Sequence, residues 1–357
     1  MSDQVLRSST RGGVGWSGRA TARDVAAVAG VSAQTVSRVA NGTQSVAEPT
    51  RQKVLAAMAQ LGYAPNAAAQ ALRAGRSSSI GVVAHHLNRT GEANIIDAVC
   101  TSARQHGYDV ALAHAASGSA EDVNRAIARA RQGVAGLVVL GLETAELATV
   151  RIPPSLPVVL ADSRTDLSVP NVGLDQQAGA RLAVDHLLGL GHDTVHLVAG
   201  PRNSVRSRQR EQGWRESLQA AGRRVPATVS HGDWSPASGY RAGFLVADDP
   251  SITAVLVAND EMAAGLLRAL HERGRRVPRD VAVVGFDDVS AAWLWPPLTS
   301  VQQDFTTIGF HLVDVLLRQI DRRDHGGPVR ESILVPPHLQ VRASSGIPST
   351  AEGEHHD

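Results

Sequence analysis

From Ile80 onward the chain repeats one pattern, a short run of apolar residues followed by a longer amphipathic stretch. The runs are Ile80–Val83, Asp109–Ala113, Gly136–Leu140, Val158–Ala161, Val195–Ala199, Ala254–Ala258 and Val281–Phe286. Helical patterns such as Ala178–Leu190, Val205–Ala221 and Glu261–Arg273 lie between several of them. Strands that are apolar throughout must be covered on both faces, and intervening helices supply the cover. The pattern therefore predicts parallel sheets flanked by helices. In such sheets ligands settle beyond the carboxyl ends of the strands. Asp162, Asn259-Asp260 and Asp287-Asp288 each follow an apolar run and are candidates for that crevice. Each would serve equally well as a cap for the next helix.

Composition narrows the class. The chain has 357 residues, 43% hydrophobic and 19% charged, which is too apolar for wholesale disorder and enough for more than one core. A single thiol, Cys100, excludes a disulfide-stapled secreted fold. The sequence shows neither an apolar run of membrane length nor a secretory signal, so a cytoplasmic protein without membrane contact is expected. The net charge of +1 conceals an asymmetry. Residues 1–76 carry nine basic groups against Asp3, Asp24 and Glu48, a net of +6, which leaves −5 for the rest. A small polyanion-binding head on a near-neutral body fits this split, as does a merely solvated basic face. Residues 1–20 read as a flexible arm, and residues 64–79 as a linker with a short helix inside it.

Within the basic segment, Thr21 suits an N-cap with Asp24 in the first turn, and Val25, Ala26, Val28 and Ala29 form a small apolar face. Gly30 stops this helix and Ser32 caps the next, Ala33–Asn41, which turns Val36 and Val39 inward and leaves Gln34, Ser37 and Arg38 outward. A third helix, Pro49–Leu61, closes the core with Val54, Leu55, Met58 and Leu61. Two short helices joined at a glycine turn describe a helix-turn-helix, whose second helix enters the major groove. Gln pairs there with adenine and Arg with guanine. A plain three-helix bundle is the alternative.

The stretches TARDVAAVAGVSAQTVSRVANG and PNAAAQALRAGRSSSIGV resemble the lactose-repressor (LacI/GalR) family of bacterial transcriptional regulators, and the likeness extends through residues 21–343. The resemblance implies an all-α helix-turn-helix head (21–64), a hinge helix and linker (65–79), and an α/β two-lobed, periplasmic-binding-protein-like effector domain with parallel sheets (80–343). Lobe 1 would comprise about 80–174 and 303–331, and lobe 2 about 175–302 and 332–343, with crossings near Leu174, Gln303 and Ser332. Residues 344–357 would be a disordered tail. Carried over residue by residue, the DNA-binding set is Thr21, Ser32, Ala33, Gln34, Thr35, Ser37, Arg38, Asn41, Asn66, Gln70 and Leu72. Gln34 and Arg38 correspond to base readers beside Ala33, and Leu72 to a minor-groove wedge. Such a wedge unstacks a base step and kinks the duplex.

The motifs AGPRNSVRSRQREQGW, GDWSPASGY, VANDEMA, VVGFDD and PPLTSVQQDF place the family's sugar contacts at Asp162, Arg208, Trp234, Asn259, Asp287, Gln303 and Phe305, with Arg89 and Ile95 toward the outside. Carboxylates, amides and a guanidinium suit vicinal hydroxyls, and flat rings suit C–H faces. Arg89 and Glu92 are polar where the substituent of a galactose-like ring would lie, which favours a polar substituent such as a second sugar. The resemblance also implies a repressor bound to double-stranded operator DNA as a homodimer. The tail lacks the apolar heptads by which tetramers form in this family.

Enzyme readings fare worse. Gly13-x-Gly15-x-x-Gly18 follows no strand, so a dinucleotide cradle is missing. His85-His86, and His192 with His196, lack further ligands at zinc spacing. No nucleophile or base can be placed beside Asp287-Asp288. No cofactor, metal or catalysis is expected. A glycoside-processing enzyme or a cytoplasmic sugar-binding protein without operator specificity remain the alternatives.

Overall fold

The computed structural model describes residues 20–40, 46–63, 77–142, 149–165, 167–322 and 331–346. The chain divides into two compact units, Met1–Arg76 and Ser77–Asp357. Of the expected segments, the arm (save Ala20) and the hinge stretch up to Arg76 lie outside the described residues.

The first unit contains α1 (Ala22–Ala29), α2 (Ala33–Ala40) and α3 (Glu48–Leu61). Thr21 and Asp24 form a reciprocal capping box, in which the Thr21 amide donates to Asp24 at 2.8 Å. The hydrogen bonds from Thr21 hold the Asp24 carboxyl below its usual range. Gly30 takes the left-handed conformation (φ 66°) that ends α1, and the Thr35 amide donates to Ser32 Oγ at 3.1 Å, capping α2. Val25, Ala26, Val36, Val39, Val54, Ala57 and Met58 form a separate core. Two expected core residues face out instead, Val28 at 47% and Leu55 at 42% exposure. On α3 the inward stripe runs through 54, 57, 58 and 61, and Leu55, about 100° around the helix from Val54, lies outside it.

The second unit holds two six-stranded sheets. The first contains β1 (Ser79–Ala84), β2 (Asp109–His114), β3 (Leu137–Val139), β4 (Val158–Ala161), β5 (Asn171–Leu174) and β11 (Ser332–Val335), in the order β11-β5-β4-β3-β1-β2. All its pairings are parallel. The second contains β6 (His196–Ala199), β7 (Ser230–His231), β8 (Ala254–Val257), β9 (Ala282–Asp287), β10 (Thr299–Gln302) and β12 (His338–Gln340), in the order β12-β10-β9-β8-β6-β7. Only β12 runs antiparallel there. Helices α4 (Thr90–Gln105), α5 (Ala120–Ala130) and α10 (Phe305–Arg322) pack on the first sheet. Helices α6 (Gln176–Gly189), α7 (Val205–Ala220), α8 (Pro236–Asp248) and α9 (Asp260–Glu272) belong to the second lobe.

The chain crosses between the lobes after β5, after β10 and between β11 and β12. The third crossing corrects the expectation of a boundary near Ser332. Residues 332–335 pair with Asn171–Leu174, so β11 belongs to lobe 1, and Pro336-Pro337, which have no amide hydrogens to offer a ladder, make the passage. A second correction concerns the tail. Ala343–Ser345 form a 3-10 turn, and Ser344 Oγ donates to the Val283 carbonyl at 2.6 Å while accepting from the Thr299 amide at 2.8 Å. Ser345 bonds Thr299 and His186. The ordered body thus runs on through Gly346.

Ser344 is fully buried, so Ser344→Ala leaves a donor and an acceptor unpaired. The expected cost is about 1–3 kcal/mol, read from urea unfolding of the second unit.

Candidate functional site

The carboxyl ends of β1 and of strands in the second sheet converge on a cleft between the lobes. Of the nine residues expected there, the structure brings together seven: Trp234, Asn259, Asp287, Gln303, Phe305, Arg89 and Ile95. Trp234, just past β7, has a left-handed backbone (φ 73°) and is 8% exposed. Its ring lies flat against Gly200, where a Cβ would sit 2.5 Å from the indole, so that approach requires glycine. Asn259 accepts from the Met262 amide at 3.0 Å and donates to the Trp234 carbonyl at 3.2 Å. It caps α9 and lines the cleft, so both readings of that residue hold.

Asp287 receives Gln303 Nε2 at 2.5 Å and Arg210 Nη2 at 3.2 Å. Burial pushes its carboxyl upward, and Arg210, Gln303 and Arg206 act against that rise. Arg210 is 3% exposed. Its Nε donates to Gln176 at 2.7 Å, its Nη1 to the Ala258 carbonyl, and its guanidinium lies 3.6 Å from the Phe286 ring centroid and 5.5 Å from that of Trp234. The cleft is therefore a charge-paired polar floor beside aromatic walls, the other wall being Phe305.

Two expected residues are elsewhere. Arg208 is exposed and donates to the Arg202 carbonyl at 3.1 Å; Arg210 takes the place assigned to it. Two residues apart on a helix, 208 and 210 point to opposite sides. The sequence carried the signal to separate them, because the buried stripe Ser207, Arg210, Trp214, Ser217 keeps helical spacing. Asp162 lines a smaller neighbouring cavity with Arg206 and Gln209. Both its oxygens are taken by Arg164, through Nε at 2.9 Å and through Nη2, and the Arg164 amide adds a third bond at 2.8 Å.

Sequence reasoning also missed Thr90 and Glu261, which lie on opposite lobes, with Thr90 Oγ1 donating to Glu261 Oε1. Buried Glu92 accepts from the His86 amide at 3.2 Å on the lobe 1 side. No group of three or more His, Cys, Asp or Glu fit to hold a metal occurs among the described residues.

In the first unit, Ser32, Ala33, Gln34 and Arg38 are exposed on or beside α2, as is Thr21 at the head of α1, while Thr35 and Ser37 are half-buried. Ser32 is already engaged as a cap. Asn41, Asn66, Gln70 and Leu72 lie outside the described residues.

Comparison with known proteins agrees with this architecture. The family profile described as bacterial regulatory proteins, lacI family, matches residues 21–66, and a periplasmic binding protein-like domain matches residues 184–345. The lactose operon repressor of Escherichia coli (strain K12) is 36% identical over 335 residues, covering 92% of each chain. The HTH-type transcriptional repressor PurR of Haemophilus influenzae (strain PittEE) is 32% identical over 330 residues, 91% of this chain and 98% of its own. Among solved structures, the lac repressor dimer bound to operator and the anti-inducer ONPF superposes with a TM-score of 0.79 at 34% identity, over 92% of this chain and 100% of that one. The complex of the transcriptional regulator CelR with cellobiose gives 0.66 at 34% identity, over 91% and 100%. No helix among the described residues is long and apolar enough to cross a membrane. With a helix-turn-helix head, a two-lobed body and this degree of likeness over nine-tenths of its length, the chain belongs to the lacI family of DNA-binding transcriptional repressors.

Proposed function

We propose that this repressor leaves a palindromic operator of sugar-utilisation genes when its cleft takes up a galactoside-like sugar with a polar substituent, such as a second hexose. The observation that carries the reading is Asp287, aimed between Arg210 and Gln303 and bordered by Trp234 and Phe305. A carboxylate and amides exchange hydrogen bonds with vicinal hydroxyls, and the rings cover the apolar face of a pyranose. Arg89, Glu92 and the Thr90–Glu261 pair make the outer cleft polar, which suits a hydroxylated substituent better than an alkyl one. The cellobiose complex of CelR shows a relative of similar fold holding a disaccharide.

One head reads half a palindrome, so a two-fold homodimer completes the site. Trp293 and Trp295, each 90% exposed, and Leu112 on the edge strand β2, 49% exposed, offer aromatic and aliphatic anchors of the kind that dominate interfaces. Sugar acts through its differential affinity for two arrangements of the lobes, and the operator through its preference for one of them.

Calorimetry with matched galactosides and glucosides tests the sugar class. Tighter binding of β-galactosides is expected, and equal affinity for both classes removes the galactose assignment. In the same assay Arg210→Ala should lower affinity at least a hundredfold, about 2.7 kcal/mol, and abolish induction, whereas Arg208→Ala stays near the parent. Leu72→Ala should weaken binding to a palindromic duplex in a mobility-shift assay and leave sugar affinity intact. Trp293→Asp with Trp295→Asp should give monomers by light scattering and lose tight operator binding; an unchanged dimer would place the subunit contact elsewhere.

A further inference from the structure

Directly behind Asp287 lies a network that the cleft itself does not use. Asp287 (φ 110°) and Asp288 (φ 55°) are consecutive non-glycine residues with positive φ. Such residues are strained and persist only where their surroundings over-determine them. Here the surroundings do so from two sides. On one side, the Asp288 amide donates to Ser300 Oγ at 3.2 Å, Ser300 Oγ donates to Asp260 Oδ1 at 2.6 Å, and the Val289 amide donates to Asp260 Oδ2 at 3.2 Å. On the other, Arg342 grips both oxygens of Asp288, at 2.6 and 3.2 Å, and is itself fixed by the Leu298 carbonyl at 2.8 Å. Ser300 is fully buried, Asp260 is 6% exposed, and the Asp288 side chain also 6%.

None of Asp260, Ser300 and Arg342 lines the cleft. Asp260 is adjacent to Asn259 in sequence, so the start of α9 sends one side chain to the cleft and the next to the back of the turn. Burial, together with the charge of Asp287, pushes the Asp260 carboxyl up to about 7, against the hydrogen bonds from Ser300 and the Val289 amide, as expected of carboxylates crowded around one turn.

We infer that Asp260, Ser300 and Arg342 are positioning residues for effector binding: they hold the left-handed pair Asp287–Asp288 and so aim the Asp287 carboxylate into the cleft. The inference rests on the reading of that cleft as the effector site. A bidentate guanidinium fixes the turn from outside, and a hydroxyl relay fixes its amides from inside. Lysine at 342 cannot reproduce the fork.

The test uses the full chain with methyl β-D-galactoside and cellobiose as probes, and pairs calorimetry with hydrogen exchange at the amides of Asp288 and Val289. Ser300→Ala and Arg342→Ala are each expected to lose about tenfold in affinity, about 1.4 kcal/mol, and to raise exchange at those two amides while the second sheet stays protected. Combining Arg342→Ala with Asp288→Gly removes both halves of the ion pair and gives position 288 a residue at ease with positive φ; it should recover most of the affinity lost by Arg342→Ala. A purely structural role would show no such recovery. Unchanged exchange at Asp288 and Val289 in both single variants overturns the inference, as does unchanged affinity beside faster exchange. If the parent protein binds neither probe, the sugar reading fails, and the exchange measurement still decides whether the network holds the turn.

Discussion

The buried guanidinium of Arg210 is the interaction on which the cleft depends. Removing such a cation from water costs several kcal/mol unless its donors are matched. Here they meet Gln176 at the start of α6, the Ala258 carbonyl past β8 and Asp287 at the end of β9, while the face of the group rests on Phe286. One side chain thus ties together the start of a helix and the ends of two strands. The same contacts act against the burial of Asp287, whose carboxyl lines the cleft. Because the pairing is internal, the cleft is organised before any ligand enters it.

Much of this was legible in the residues. Strands buried on both faces betray themselves as unbroken apolar runs, and β1, β3, β4, β6, β8 and β9 fall where those runs are; β2 falls on the run Asp109–Ala113 but is an edge strand and largely exposed. Strands β5, β7, β10, β11 and β12 were missed because Asn, Ser, Thr, Gln or His stand within them and no unbroken apolar run marks them. The head was readable from its caps, Thr21 with Asp24 and Ser32 with Thr35, although Val28 and Leu55 show that apolar identity alone does not fix orientation. Four arginines within nine residues hid the one that matters, and only the helical phase set by Trp214 separates Arg210 from Arg208. Asp162 was found at the end of its strand as expected, but its occupation by Arg164, two residues on, is a rotamer choice that spacing cannot reveal. Glu261 gave no signal, since its role comes from meeting Thr90, far away in sequence.

The cleft takes Arg89, Thr90, Glu92 and Ile95 from lobe 1, and Arg210, Trp234, Asn259, Glu261 and Asp287 from lobe 2. A ligand shifts a population only through differential affinity for two arrangements, and a cleft lined from both lobes is where contacts can differ between them. The Thr90–Glu261 bond already joins the two sides at the outer cleft. A ligand whose hydroxyls replace it changes the partners of these residues without leaving either unsatisfied.

The path of the chain through the two lobes has a consequence for biosynthesis. Neither lobe is continuous: the first sheet waits for β11, and the second for β12 and the Ser344–Ser345 turn that locks onto Val283 and Thr299. The head, by contrast, closes its own core by Met58. On the ribosome the nucleic-acid reader is therefore complete long before the machinery that governs it, and nascent chains arrested in the body would carry an assembled head without its regulator.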